Sequence, residues 1–169
     1  MDVWTVKLLT ADKMKTALQF VVAESVLVVE KDFDVVIGSD LQNQITASTY
    51  GCCGEGKSFI GVYGACSSSV LELIIGANFI EGKRAKNIIV STSSHNMVAE
   101  KQFRNPTEYG APKKKTTTWT STGAASMLIT NKKGRIKITS ATCGSVCDKN
   151  ITDVNNMGAV MAIAAADTI

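Results

Sequence analysis

The sequence holds a single histidine, His95, and no apolar run near the roughly 20 residues that a membrane-spanning helix requires. Its opening residues lack a signal-peptide core with a cleavage site, so a soluble, non-secreted protein is expected. Charge of one sign is also scarce. The 18 basic and 15 acidic residues leave a formal net charge of +3, which by itself implies neither nucleic acid nor a polybasic membrane anchor. Aromatic residues make up only 6%, yet 45% hydrophobic and 20% charged residues over 169 positions fit one ordinary globular domain and exclude disordered and fibrous classes. Five cysteines is an odd number, and Cys52 and Cys53 are neighbours that do not easily bridge each other. Cys143 and Cys147 have three residues between them, which is not the C-x-x-C spacing of a redox pair, and one histidine leaves zinc without its usual ligands. Reduced thiols, with no metal and no cofactor, are the expectation.

Residues 11–27 carry Met14, Ala17, Leu18, Val21 and Val22 at helical spacing, with Asp12 placed to cap the start. Residues 33–37 form a short apolar run closed by Gly38-Ser39-Asp40, as a buried strand would be, and Asp40 is positioned to cap a short helix over 41–49. Three glycines in 51–57 mark a loop before a second strand over 59–63, which runs into Gly64-Ala65-Cys66. Over 67–80 apolar residues point in nearly every direction around a helix, broken mainly by Glu72 and Asn78, so this helix should be buried on several sides. A third strand over 87–91 leads into Thr92-Ser93-Ser94-His95-Asn96 and another helix through Gln102. Strand-helix alternation of this kind predicts an α/β fold with parallel pairing. Residues 124–130 and 135–140 read as two strands joined at Asn131-Lys132-Lys133-Gly134, an antiparallel hairpin at the sheet edge. The segment 113–137 has seven basic residues and no acidic one, a local anion-attracting surface whose default reading is solvated strand ends. Residues 157–166 form a strongly apolar helix, and the chain stops at Ile169 without a helix-stop signal, as if in mid-fold.

Cys66 follows a strand and precedes the N-terminus of the apolar helix. Backbone N–H groups and the helix dipole at such a turn stabilise a thiolate, or hold a carboxylate ligand. The plainer alternative is a small residue that fits the turn. His95 ends the next strand, so in an open α/β sheet it belongs to the same carboxyl-end edge as Cys66, either as a base or as a hydrogen-bonded loop residue. Asn96, Arg104, Thr107 and Glu108 follow in a polar segment, either completing a pocket or forming a surface loop.

Gly64-Ala65-Cys66-Ser67-Ser68-Ser69 resembles the nucleophile turn of the thiolase superfamily. To it are added Ser39-Asp40-Leu41-Gln42-Asn43-Gln44, Ser93-Ser94-His95-Asn96, Ala99-Glu100-Lys101-Gln102-Phe103-Arg104, Pro106-Thr107-Glu108-Tyr109-Gly110, Lys137-Ile138-Thr139-Ser140-Ala141-Thr142 and Ala164-Ala165-Ala166-Asp167-Thr168-Ile169. Together they resemble the stage V sporulation protein AD family, a thiolase-like family, over residues 32–169. The first thirty or so residues match only loosely, as though the opening strand were missing or replaced.

The resemblance implies one half of a thiolase-like αβαβα sandwich: a single half domain over 1–169, truncated relative to a family about twice as long, with a mixed, mostly parallel sheet. It implies a sporulation protein that binds dipicolinic acid and takes part in moving its calcium complex into the developing spore, without working as a condensing enzyme. The ligand-lining residues nominated are Cys66, Ser67, His95 and Asn96, with Cys66 at the position of the superfamily nucleophile. Other stage V sporulation membrane proteins are the implied partners, and a peripheral place on the forespore inner membrane the implied location. An apolar helix face left by a half-fold favours a homodimer or other association. The competing reading is an acyltransferase or condensing enzyme with Cys66 as acyl acceptor; against it, no second histidine exists to activate the thiol. A nonfunctional remnant is the third.

Overall fold

The computed structural model describes residues 4–10, 33–52, 56–103, 115, 120–134, 136–152 and 157–169. Six strands form one sheet: β1 (Trp4–Thr10), β2 (Val35–Asp40), β3 (Ser58–Gly61), β4 (Asn87–Ser94), β5 (Gly123–Thr130) and β6 (Lys137–Ile138), in the spatial order β3-β2-β4-β5-β1-β6. Among the described residues four α-helices accompany them: α1 (Thr46–Gly51), α2 (Ser68–Glu81), α3 (Asn96–Phe103) and α4 (Met157–Thr168). β2 pairs in parallel with both β3 and β4, while β4–β5, β5–β1 and β1–β6 are antiparallel. The expected mixed α/β sheet with an antiparallel edge is present.

The edge is not the expected hairpin. β6 pairs with β1, and β1 lies between β5 and β6, with Thr5 opposite both Thr130 and Lys137. A direct hairpin would need a tight turn, whereas residues 131–136 bridge the two ladder spacings, about 10 Å, that inserting β1 imposes. A strand does open the chain, Trp4–Thr10, so the place is filled. The helix expected over 11–27 lies outside the described residues.

Strands β2 and β4 run further than their apolar runs. β2 continues through Gly38, Ser39 and Asp40, opposite Ser91, Thr92 and Ser93 of β4. Gly38 is required there: a Cβ on it would come within 2.7 Å of the Phe59 ring. The core accordingly changes along the strands. At the amino-terminal end it is aliphatic, with Ile37, Ile88, Ile89, Val90 and Ile129 fully buried. At the carboxyl end it is polar but paired: Ser39 Oγ donates to Thr92 Oγ1 at 3.0 Å and Ser126 Oγ to Ser91 Oγ at 2.8 Å. Hydrogen bonding is what makes burial of these hydroxyls tolerable.

Helix α2 runs back along one face of the sheet. Ser68, Glu72, Gly76 and Ile80 form its buried stripe, each four residues from the next. Gly76 lets the helix approach closely, since a Cβ there would meet Ile129 Cδ1 at 2.6 Å. The opposite side is less covered than its composition predicts, with Val70 55% exposed. Helix α4, equally apolar, is largely exposed as well, and is joined to the segment before it by Cys147 Sγ against Asp167 Oδ2 and by the Lys149–Asp167 pair. No described helix is long and apolar enough to cross a membrane.

Candidate functional site

Strands β3, β2 and β4 release their chains at one edge, and there the nominated residues collect. After β3 the backbone turns through Gly64 and Ala65 into a single 3-10 turn (Ala65–Ser67) that opens α2. Ala65 adopts φ 47°, a left-handed conformation costly for a residue with a side chain. The turn is fastened by its serines. Ser67 Oγ donates to the Gly64 carbonyl at 2.6 Å, and the Gly64 N–H donates to Ser68 Oγ at 3.1 Å. A Cβ on Gly64 would sit 2.8 Å from Ser67 Oγ, so glycine is needed for this clasp. Because Ser67 directs its hydroxyl backward, α2 has no side-chain cap; the Ser68 N–H donates to the Ala65 carbonyl, and Cys66 is exposed just before the helix.

His95 leaves the end of β4, two strands from β3. The strand spacing puts the two chains about 10 Å apart, with β2 between them. His95 carries out a structural task through its carbonyl, which accepts the Ala99 N–H at 2.9 Å, but its half-buried ring has Nδ1 buried with no hydrogen-bond partner. Asn96 is committed to the frame: Nδ2 donates to the Thr120 carbonyl at 2.8 Å, and its backbone N–H to Thr122 Oγ1 at 3.0 Å. Of the four nominated residues, then, Cys66 and His95 keep unengaged polar atoms at this edge, while Ser67 and Asn96 position the segments that carry them. Arg104, Thr107 and Glu108 lie outside the described residues.

Sequence reasoning missed three members of this end of the molecule. Asp40 is not the N-cap residue, because α1 starts later, after Ile45, but its fully buried carboxylate accepts a first-turn N–H of that helix, from Ser48 (3.1 Å), together with Ser48 Oγ (3.0 Å) and Ser93 Oγ. It thereby ties α1 and β4 to β2. Gln102 of α3 bridges the rim, accepting the Asn43 N–H at 3.3 Å and donating to the Tyr63 hydroxyl at 3.1 Å, so the segments after β2, β3 and β4 are joined. Glu72 is fully buried on the stripe of α2, and neither carboxyl oxygen has a hydrogen-bond partner. Burial pushes its carboxyl up to about 7; the Ser39 hydroxyl close by pulls it partly back, and the charge of Asp40 raises it. Ser39 points its proton at Thr92 instead, which is why no well-formed bond to Glu72 results. An acid within an otherwise apolar helix was the available signal for Glu72.

This edge brings together an uncapped helix N-terminus, an exposed thiol and a half-buried imidazole, while Asp40 and Glu72 are buried. Among the described residues no group of three potential metal ligands gathers.

The family profile described as Stage V sporulation protein AD (SpoVAD) matches residues 7–169. The Stage V sporulation protein AD of Bacillus subtilis (strain 168) is 44% identical over 138 residues, covering 82% of this chain and 41% of that protein. The chain thus spans about two fifths of the length of that relative. Among solved structures, 3-oxoacyl-(acyl carrier protein) synthase III, FabH, from Pseudomonas aeruginosa PAO1 superposes with a TM-score of 0.60 at 8% identity, over 89% of this chain and 52% of that one. A second 3-oxoacyl-(acyl-carrier-protein) synthase III gives 0.52 at 13% identity, over 76% and 40%. These two likenesses concern the fold alone. On sequence and fold together, the chain belongs to the stage V sporulation protein AD family and has its thiolase-like architecture.

Proposed function

We propose that this chain binds dipicolinic acid and serves the uptake of calcium dipicolinate into the forespore, using a thiolase-like fold without condensing chemistry. The observation that carries the reading is the turn at Cys66: an uncapped helix N-terminus and an exposed thiol, on the sheet edge that also holds His95 with an unpaired ring nitrogen. A small dicarboxylate matches such a place, since one carboxylate accepts from helix N–H groups and the other from the imidazole side. Family membership supports the choice of dicarboxylate. The protein would act peripherally at the forespore inner membrane beside other stage V sporulation membrane proteins, and the exposed apolar residues Val70, Val160 and Met161 support self-association.

The second reading is acyl transfer through Cys66, favoured by the exposure of that thiol at the superfamily's nucleophile turn. Calorimetry with dipicolinic acid, run beside labelling by acetyl-CoA, separates the two. Saturable binding without label supports uptake; label on Cys66 without binding supports the enzyme. Replacing Cys66 with phenylalanine is expected to abolish dipicolinate binding, and unchanged affinity would move the pocket elsewhere.

A further inference from the structure

The opposite edge of the sheet has a different character, invisible in the small net charge of the chain. Strand pairing brings the start of β3, the start of β4, the end of β5 and the start of β6 to one rim, because Val35 lies opposite Ser58, Asn87 opposite Thr130, and Thr5 opposite both Thr130 and Lys137. Each of these four points carries exposed cations. Lys57 precedes β3, its amine over the Phe33 ring at 5.4 Å; Lys83, Arg84 and Lys86 fill the turn between α2 and β4; Lys132 and Lys133 follow β5; Lys137 opens β6. Only two acids among the described residues share the rim, Asp34 and Glu81. The Asp34 carboxylate is occupied by the Lys86 and Asn87 N–H groups, at 2.6 and 3.1 Å, which hold it below the usual carboxylate range. Six strands across give the row a length of about 24 Å, several Debye lengths at physiological salt.

We propose that this basic rim is a docking surface for an anionic lipid bilayer. The inference deepens the peripheral placement proposed above by naming the face that meets the membrane. Two observations select lipid over other polyanions. The row is dominated by lysines, point charges suited to diffuse headgroup attraction, and is not built of arginine forks for specific phosphates or carboxylates. Its one exposed large aliphatic is Ile136, 53% accessible and next to Lys137, placed to enter the headgroup region as the cations approach it.

The test is vesicle co-sedimentation of the 169-residue chain with phosphatidylcholine alone and with phosphatidylcholine plus phosphatidylglycerol, at low salt and at about 0.3 M salt, where screening shortens the field. Binding to the anionic vesicles only, weakened by salt, is expected. Neutralising one rim lysine, Lys86→Gln, should reduce partitioning roughly fivefold, while Lys101→Gln, an equal charge change on α3 at the opposite edge, should leave it within about twofold. If neither vesicle binds the chain, the peripheral placement itself falls. Equal losses in the two variants overturn the rim while leaving placement intact, and tighter binding to duplex DNA than to anionic vesicles overturns lipid as the partner. Neither result touches dipicolinate binding at the other edge, which calorimetry reads independently.

Discussion

At the scale of single residues, Glu72 is the side chain whose environment has the largest consequence. Its carboxyl, near 4.5 in the unfolded chain, titrates at about 7 when buried in α2, so the folded state holds the proton more tightly. The sign follows from linkage: stability is greatest below pH 4.5, falls as pH rises toward 7, and the contribution is gone above it. The shift corresponds to about 3 kcal/mol as an upper figure. Replacing Glu72 with Gln removes the titration. Urea unfolding should therefore show the variant gaining on the native chain by about 1–3 kcal/mol between pH 5 and pH 8. A difference that stays constant with pH would contradict this account of Glu72. Asp40 makes the opposite case, an acid satisfied on every side. Asp40→Asn leaves at least one of the Ser48 and Ser93 donors without an acceptor and should cost about 1–3 kcal/mol, read by denaturant unfolding. These roles are legible in the sequence only in part. Asp40 reads as a helix cap and does take a first-turn N–H of α1, from Ser48, but only the register that places Ser93 beside it reveals the buried junction.

Among the elements, α2 decides how the site is held. It meets the sheet through Gly76, so Gly76→Ala should lift it and cost about 1–3 kcal/mol. Trimming Ile129 to Val in the same chain should recover part of that loss; strictly additive effects in a double-mutant cycle would mean that the two do not touch. The existence of this helix could be read from its apolar content, but its facing could not, since residues apolar all round mark no side. The stripe Ser68, Glu72, Gly76 and Ile80 emerges only against the sheet. Strands show the same division. The short aliphatic runs in β2 and β4 announce parallel strands, yet serines at their carboxyl ends look like turns and prove to be strand. The edge was misjudged for a related reason: β5 and β6 are adjacent in sequence and of alternating pattern, and nothing local reveals that β1 inserts between them.

For the whole molecule, the sheet separates the two proposed functions by its two edges. The carboxyl edge gathers Cys66 and His95 over polar core, and the amino edge carries the basic rim. The faces of α2 and α4 that remain exposed add a third property. Light scattering coupled to size exclusion should find species heavier than the monomer at micromolar concentration, and Val160→Glu with Met161→Glu should shift them toward monomer. A native chain that runs only as monomer would remove association from the account. The central claim remains ligand binding at the carboxyl edge, and it is tested most directly by titrating the 169-residue chain with dipicolinic acid in a calorimeter. The account predicts saturable binding that is lost in Cys66→Phe; a folded chain that takes up no dipicolinate, or binds it equally well with phenylalanine at position 66, would contradict it.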